Sequence, residues 1–534
     1  MTSADSTIAN DEIATRVGAA IDSRLQRWLL LALVFVCGGA SIGTELAMSR
    51  LLAPYFGTST FIWANLIGLT LAFLAFGYAI GGRLADRNPS LNVMLVIAGL
   101  AGFSVSLIPV LSRPILRRSL DAFDDLNVGV FFGSFFASLF LMAIPMLLFG
   151  CISPFAIRMR TQNIRSSGET AGNIYALSTV GSIVGSFLPV LVLIPLLGTR
   201  ATFLLMGGAL MVLSLAGLVV DRAGQRVLLI ALLLALTLTI HAVTAAGEIK
   251  PPYRGVLVDE AESEYNYIQV LEQDGRFLLA LNDGHAIHSI YDPDFALTGG
   301  PWDYFLLAPT MAGIEPERAL IVGLAGGTSA RSLLATYPGL TIDGVEIDPQ
   351  VLELAETYFA LDDPRLATFA QDGRYFLETS SATYDLVALD AYRQPYIPFH
   401  LATEEFFQLV ADHLSDDGVV VVNVGRSESD FRLVDALSST LSAVFPSVWL
   451  VDVQGYDNTM VFASQTDITR EQIEQRLRAA DPGSNQQIVA AEGFADGNLR
   501  LNTATERAYT DDRAPVETLI DRMIFDAARE ETGE

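Results

Sequence analysis

Three acidic residues in the second half of the chain end or follow strand-like apolar segments. Glu346 closes Thr341–Glu346, Asp372 follows Leu366–Ala370, and Asp390 closes Asp385–Asp390. In an open α/β sheet the ligand crevice lies outside the carboxyl ends of the strands, so these three carboxylates should line one site. An earlier strand, Ala319–Gly323, runs directly into Gly323-Leu324-Ala325-Gly326-Gly327-Thr328 and then a helix. Such a turn lets a nucleotide approach the backbone, with Gly323, Ala325 and Gly327 beside it. Glu346 stands 23 positions after Gly323, placed to accept hydrogen bonds from two ribose hydroxyls. The turn lacks two of the three glycines of GxGxxG, which favours an S-adenosyl compound over a dinucleotide with its pyrophosphate. Asp372-Gly373 suits an adenine amino group, and Asp390 lies beyond the adenosine, where a transferred group would be. Turn or cap roles are the structural alternatives for Asp372 and Asp390.

Two unlike materials carry these residues. The 534-residue chain is 51% hydrophobic and 17% charged, too apolar for a wholly soluble protein of this length. Residues 1–247 hold 15 Arg and 11 Asp+Glu, whereas residues 248–534 hold 18 Lys+Arg and 49 Asp+Glu, a net charge of −31. So acidic a second half repels phosphates, which excludes nucleic acid and favours a small cationic partner. Two cysteines in apolar runs, five scattered histidines and no HExxH leave no basis for a disulfide framework or a catalytic metal.

The first half contains about seven apolar stretches of spanning length: Trp28–Met48, Phe61–Gly81, Leu91–Leu111, Val128–Ile152, Gly172–Leu196, Ala201–Val220 and Val227–Ala246. They predict a multi-pass membrane domain over 28–247, behind a polar segment 1–27. Gly77-x-x-x-Gly81 and Gly181-x-x-x-Gly185 predict close helix packing. Glu45 needs a reason to sit in an apolar run, either an ion pair with Arg50 or a polar substrate pathway. The loop Gly81–Arg87 resembles the loop between the second and third helices of major facilitator transporters, which places it in the cytosol.

Beyond the linker Glu248–Gly255, alternation predicts antiparallel strands at Tyr265–Glu272, Arg276–Leu281 and Ala286–Tyr291, a small β domain over 256–300. From 301 to 534, βα units end in Gly418–Val424 and the hairpin Ser447–Val453 and Thr459–Ala463. This is the pattern of a doubly wound, Rossmann-like parallel sheet with a final antiparallel hairpin.

Val345-Glu346-Ile347-Asp348-Pro349, Gln371-Asp372-Gly373-Arg374 and the Asp390 strand end, preceded by a β domain, resemble the spermidine synthase (polyamine aminopropyltransferase) family over residues 256–465. Arg50-Leu51-Leu52-Ala53-Pro54-Tyr55-Phe56-Gly57, Pro398-Phe399-His400-Leu401 and Thr510-Asp511-Asp512-Arg513-Ala514-Pro515-Val516-Glu517 are similar to its branch with an N-terminal multi-pass membrane domain. The resemblance implies an S-adenosylmethionine-dependent transferase fold that uses decarboxylated S-adenosylmethionine as aminopropyl donor, an amine such as putrescine as acceptor, and no metal. It implies Glu346 on the ribose, Asp372 and Gly373 on the adenine, and Asp390 as the base that takes a proton from the amine. Asn266 stands where a donor-binding Gln is usual, and His288, Tyr392 and Arg393 fall on the acceptor side. Arg393 replaces a second Asp and would repel a diamine, and the glycine loop lacks the family's Asp. Competing readings are a methyltransferase using intact S-adenosylmethionine and a polyamine transporter or sensor whose ligand domain does not turn over. Expected partners are the amine and the lipid bilayer, with a homodimer left open. For sidedness, ten basic residues flank the spans on the N-terminal side against seven opposite. With seven spans this count puts the acidic domain outside the cell. The cytosolic origin of S-adenosyl donors puts it inside, and the expectation is a multi-pass protein of the cell membrane with a cytosolic catalytic domain.

Overall fold

A computed structural model describes residues 24–56, 60–124, 129–161, 167–244, 250–282, 286–392 and 397–532. The chain divides into two compact units, Met1–Ile249 and Lys250–Glu534. The polar segment expected at 1–27 lies outside the described residues up to position 23.

The first unit is helical: α1 (Arg24–Phe56), α2 (Thr60–Arg87), α3 (Leu91–Asp124), α4 (Gly129–Arg160), α5 (Ser167–Leu188), α6 (Ile194–Val220) and α7 (Gly224–Thr244). Among the described residues six helices are long and apolar enough to cross a membrane, with Ser167–Val220 counted as one of 54 residues. At about 1.5 Å per residue that helix would be far longer than one ~30 Å crossing. It is broken at Gly198, whose φ of 80° and ψ of 167° no helix contains. The directions of the helices show that the break is a reversal. Gly38 and Gly43 of α1 pack on Ser178 and Pro189 respectively, so α1 and α5 run parallel. Gly217 of α6 packs on Leu95 and Gly207 on Gly102 and Ser106, so α6 runs against α3. Asp221, just after α6, accepts hydrogen bonds from Gln26 of α1 at 2.9 Å and from Asn92 of α3, so both of those helices start on one face. Parallel to α3, α7 has Ile230 against Gly99 and His241 on the Ser106 carbonyl. The start of α1 and the end of α7 therefore lie on opposite faces of this unit.

Close approach explains both glycine pairs. A Cβ at Gly77 would enter the Leu147 carbonyl and one at Gly181 the Phe35 carbonyl. The segment Gly81–Arg87, expected as a loop, is the last two turns of α2, and the connection is only Asn88-Pro89-Ser90. Pro89 has no N–H to continue the helix, so the chain turns there.

The second unit opens with an antiparallel sheet in the order β1-β2-β3-β4: Val256–Glu262, Tyr267–Gln273, Arg276–Leu281 and Ile287–Tyr291. The unexpected β1 is acidic and partly exposed, so it lacks an apolar stripe. The eight-stranded sheet has the order β12-β10-β11-β9-β8-β5-β6-β7. Its parallel strands are β5 (Arg318–Val322), β6 (Thr341–Glu346), β7 (Leu366–Ala370), β8 (Tyr384–Leu389) and β9 (Leu414–Gly425). The hairpin of β10 (Ser447–Asp452) and β11 (Asn458–Ser464) joins through β11, antiparallel to β9. A two-residue strand β12 (Arg500–Leu501), too short to leave a pattern, pairs with β10. Helices α8 (Thr328–Thr336), α9 (Pro349–Tyr358), α10 (Gly373–Thr379) and α11 (Glu404–Asp412) follow β5, β6, β7 and β8. Strand order reverses between β5 and β8, with β6 and β7 on one side and β9 on the other. Ligands of such sheets bind at this switch point.

Candidate active site

The glycine turn leaves β5 at the switch point. Gly323 has φ +88°, and a Cβ there would enter the Asp390 carbonyl and lie 2.8 Å from the Ala391 Cα, so only glycine lets β5 pass the end of β8. Ala325 takes φ +48°, a left-handed conformation that costs an L-residue about 1–2 kcal/mol. The turn is held in place from three sides. The Ala325 N–H donates to Glu346 Oε2 at 2.9 Å and the Gly326 N–H to Ser289 Oγ at 2.8 Å. Half-buried Arg331 on α8 donates to the carbonyls of Gly326, Phe359 and Ile290 at 2.7, 2.8 and 2.7 Å. The sequence signal for Arg331 was a single charge in an otherwise small and apolar helix. His288 lies on β4 beside Ser289.

Glu346 ends β6 with both carboxylate oxygens engaged by backbone, Oε2 by Ala325 and Oε1 by the Asp348 N–H at 3.2 Å. Burial pushes its carboxyl up to about 7, although these hydrogen bonds pull the other way. Asp348 caps α9 through the Gln350 N–H at 3.0 Å. Its other oxygen accepts from Ser263 Oγ at 2.6 Å and Asn266 Nδ2 at 2.9 Å. Asn266 also accepts from Asn282 at 3.0 Å. Expected at the donor, Asn266 spends its carbonyl and one amide N–H on these partners, because fully buried Asp348 must be hydrogen-bonded.

Asp372 caps α10, its Oδ1 accepting from the Arg374 and Tyr375 N–H groups, both at 3.0 Å. Its Oδ2 pairs with His400 Nε2 at 2.8 Å, and this bond holds the carboxyl below the usual range. Gly373 lies against Val322, where a Cβ would not fit. Arg374 forks onto Asp511, both N–O distances 2.7 Å, and Asp511 also accepts from Thr403 Oγ1 at 2.8 Å. Three segments far apart in sequence, at 371–374, 398–401 and 510–517, thus meet at the start of α10.

Asp390 follows β8. Its Oδ1 accepts from Asn423 Nδ2 at 2.8 Å, and the Trp302 side chain donates to it as well. Burial outweighs these bonds and raises the carboxyl to about 6. Asn423 is held in turn by Asn458 Nδ2 on its Oδ1 at 2.9 Å. Neither Asn423 nor Trp302 was expected, although an asparagine inside the valine run Val419–Val424 is itself a signal of a buried polar group with a task. Tyr392 donates to the Asn423 carbonyl and accepts from the Gly425 N–H, both at 2.6 Å, so its hydroxyl is spent on β9. Arg393 lies outside the described residues. Among the described residues no group of three or more His, Cys, Asp or Glu side chains is placed to hold a metal.

The model of the spermine/spermidine synthase domain matches residues 306–467. A probable polyamine aminopropyl transferase of Bifidobacterium longum is 35% identical over 51% of this chain and 65% of its own length. The polyamine aminopropyltransferase of Vibrio vulnificus is 31% identical over 47% of this chain and 84% of its own. The chain belongs to the polyamine aminopropyltransferase family. A family member from Mycobacterium tuberculosis is 25% identical over 89% of this chain and 93% of its own, so the likeness extends into the helical unit.

Proposed function

We propose that the second unit transfers the aminopropyl group of decarboxylated S-adenosylmethionine to an amine of the putrescine class, releasing methylthioadenosine. The observation that carries this reading is Asp390, a half-buried carboxylate raised to about 6 at the switch point, one strand from the glycine turn and two from Glu346. The amine nitrogen forms a bond to the aminopropyl carbon as the carbon–sulfur bond breaks, its electron pair returning to sulfur. Asp390 attracts the incoming ammonium and takes the proton the nitrogen must lose, and a base with a pKa near the working pH suits that task. Glu346, fixed by two backbone N–H groups, has lone pairs left for the ribose hydroxyls. Asp372, an anion oriented by His400, would accept from the adenine amino group. Purified protein supplied with putrescine and either decarboxylated or intact S-adenosylmethionine separates the readings. Methylthioadenosine should form from the former, and S-adenosylhomocysteine from the latter would establish a methyltransferase instead.

The helical unit, on this reading, crosses the cell membrane seven times, with the second unit in the cytosol where the donor is made. Opposite ends for α1 and α7 then require the start of α1 outside, against the small arginine bias. A single Cys at exposed Asp481, with Cys37 and Cys151 replaced, should resist an impermeant thiol reagent until cells are opened. Labelling of sealed cells would put the unit outside.

A further inference from the structure

Several buried hydroxyls of the helical unit are satisfied by their own helix. Ser41 donates to the Gly38 carbonyl, Ser106 to Gly102, Ser112 to Pro109 and Thr237 to Leu233, at 2.9 Å in each case. This is the usual solution where no water is at hand. Thr44 of α1, Ser138 of α4 and Ser214 of α6 are completely buried and Thr70 of α2 nearly so, and their hydroxyls have no hydrogen-bond partner among the described residues. Beside Thr44 stands Glu45, the one carboxylate inside the apolar window of α1. Of the two alternatives for Glu45, an Arg50 pair or a polar pathway, the Thr70 hydroxyl of α2 facing Glu45 fits the second.

Ser138 is brought to the same level by helix register. Asn65 of α2 donates to Ser134 of α4 at 3.2 Å, and Gly77 of α2 packs on Leu147 of α4. Interpolating along these parallel helices sets Thr70 opposite residues 139–140, within two positions of Ser138. Thr70 precedes Gly77 by two turns and Ser138 follows Ser134 by one, so each lies on the face its helix presents to the other. A carboxyl group and hydroxyls with unspent lone pairs lie at one level of three helices, α1, α2 and α4. A residue of this kind inside a membrane marks a site by default, because submerging it costs a few kcal/mol.

We propose that Glu45, Thr44, Thr70 and Ser138 form a binding site within the helical unit for the primary ammonium group of an amine. Three N–H donors on one cationic head match one carboxylate and neighbouring hydroxyl acceptors. A bare metal cation would ask for about six oxygen ligands. The proposal rests on the reading that this unit spans a membrane and that the second unit works on amines. The helical unit would then bind the substrate or product of the same chain.

The test uses the full chain in phosphatidylcholine vesicles and dicyclohexylcarbodiimide, which partitions into the apolar phase and modifies carboxyl groups there. Modification of Glu45 is followed by peptide mass spectrometry, with Glu45→Gln as the blank. Spermidine at about ten times its dissociation constant should slow the modification about tenfold, whereas sodium at equal ionic strength should not. Ser138→Ala should lose most of that protection while aminopropyl transfer in the same vesicles is unchanged. Modification that spermidine does not slow, or that sodium slows equally, would overturn the site. Transfer activity is read on the same sample, so its absence would count against the second unit's proposed chemistry, and no protection of the unmutated chain with intact transfer against this site alone.

Discussion

Asp372 and Asp390 each follow a strand of the same parallel sheet, yet their surroundings drive the two carboxyls apart. Asp372 caps a helix, accepts two backbone N–H groups and meets His400, so its charge is stabilised and its pKa lowered. Asp390 sits where burial dominates, with Asn423 and Trp302 as donors, and is raised to about 6. A carboxylate held low is a fixed anion, good for orienting a donor group. One raised toward neutrality can both attract a cation and accept its proton. On the proposed function, the difference would give binding to one end of the crevice and proton transfer to the other.

Removing the raised carboxyl should have the largest effect. Asp390→Asn is expected to lower the transfer rate ~100-fold or more, the usual scale of general-base catalysis, with donor affinity by calorimetry nearly unchanged. Next comes Glu346→Gln, where an amide N–H must face the N–H of Ala325 or of Asp348. The lost charge-assisted bonds should weaken donor binding by about 1.5–3 kcal/mol, roughly ten- to a hundredfold. Because ribose hydroxyls favour ionised Glu346, donor affinity of the unmutated protein should also fall as pH drops below about 7, with proton release visible in buffers of different ionisation enthalpy.

Smaller changes sharpen the contrast. Asn423→Ala removes a donor that stabilises the Asp390 carboxylate, so the acid limb of the amine kcat/KM should move to higher pH, with a loss of roughly tenfold near neutrality. An unmoved limb would show that Asn423 only packs. His400→Ala should let Asp372 rise toward the ordinary carboxylate range and cost a few-fold in donor KM, with the Asp390 limb in place. If that limb moved too, the two ends of the crevice would be coupled and the division of labour wrong.

The sequence made the sheet legible where strands are apolar and long. Thr341–Glu346 and Leu366–Ala370 have the bounds their patterns imply, and the acids at the strand ends lie on one rim. Half-exposed acidic β1 and two-residue β12 carry no such pattern. The site's supports were harder to see because they join residues far apart. Arg374 reaches Asp511 across 137 positions and Asp372 reaches His400 across 28, distances no local periodicity reports. Asn266 shows a structural duty that its sequence place did not announce: buried Asp348 takes one of its amide N–H groups. In the helical unit, hydropathy marked the stretches on either side of Gly198, while the directions of the helices depend on packing.

The most direct test of the account is the pH dependence of amine kcat/KM at saturating donor, in the unmutated protein and in Asp390→Asn. A falling limb centred near pH 6 as pH decreases, absent from the residual activity of Asp390→Asn, is the expected result. The same limb in both proteins, or a rate insensitive to pH through that range, would mean that the proton leaves the amine by another route.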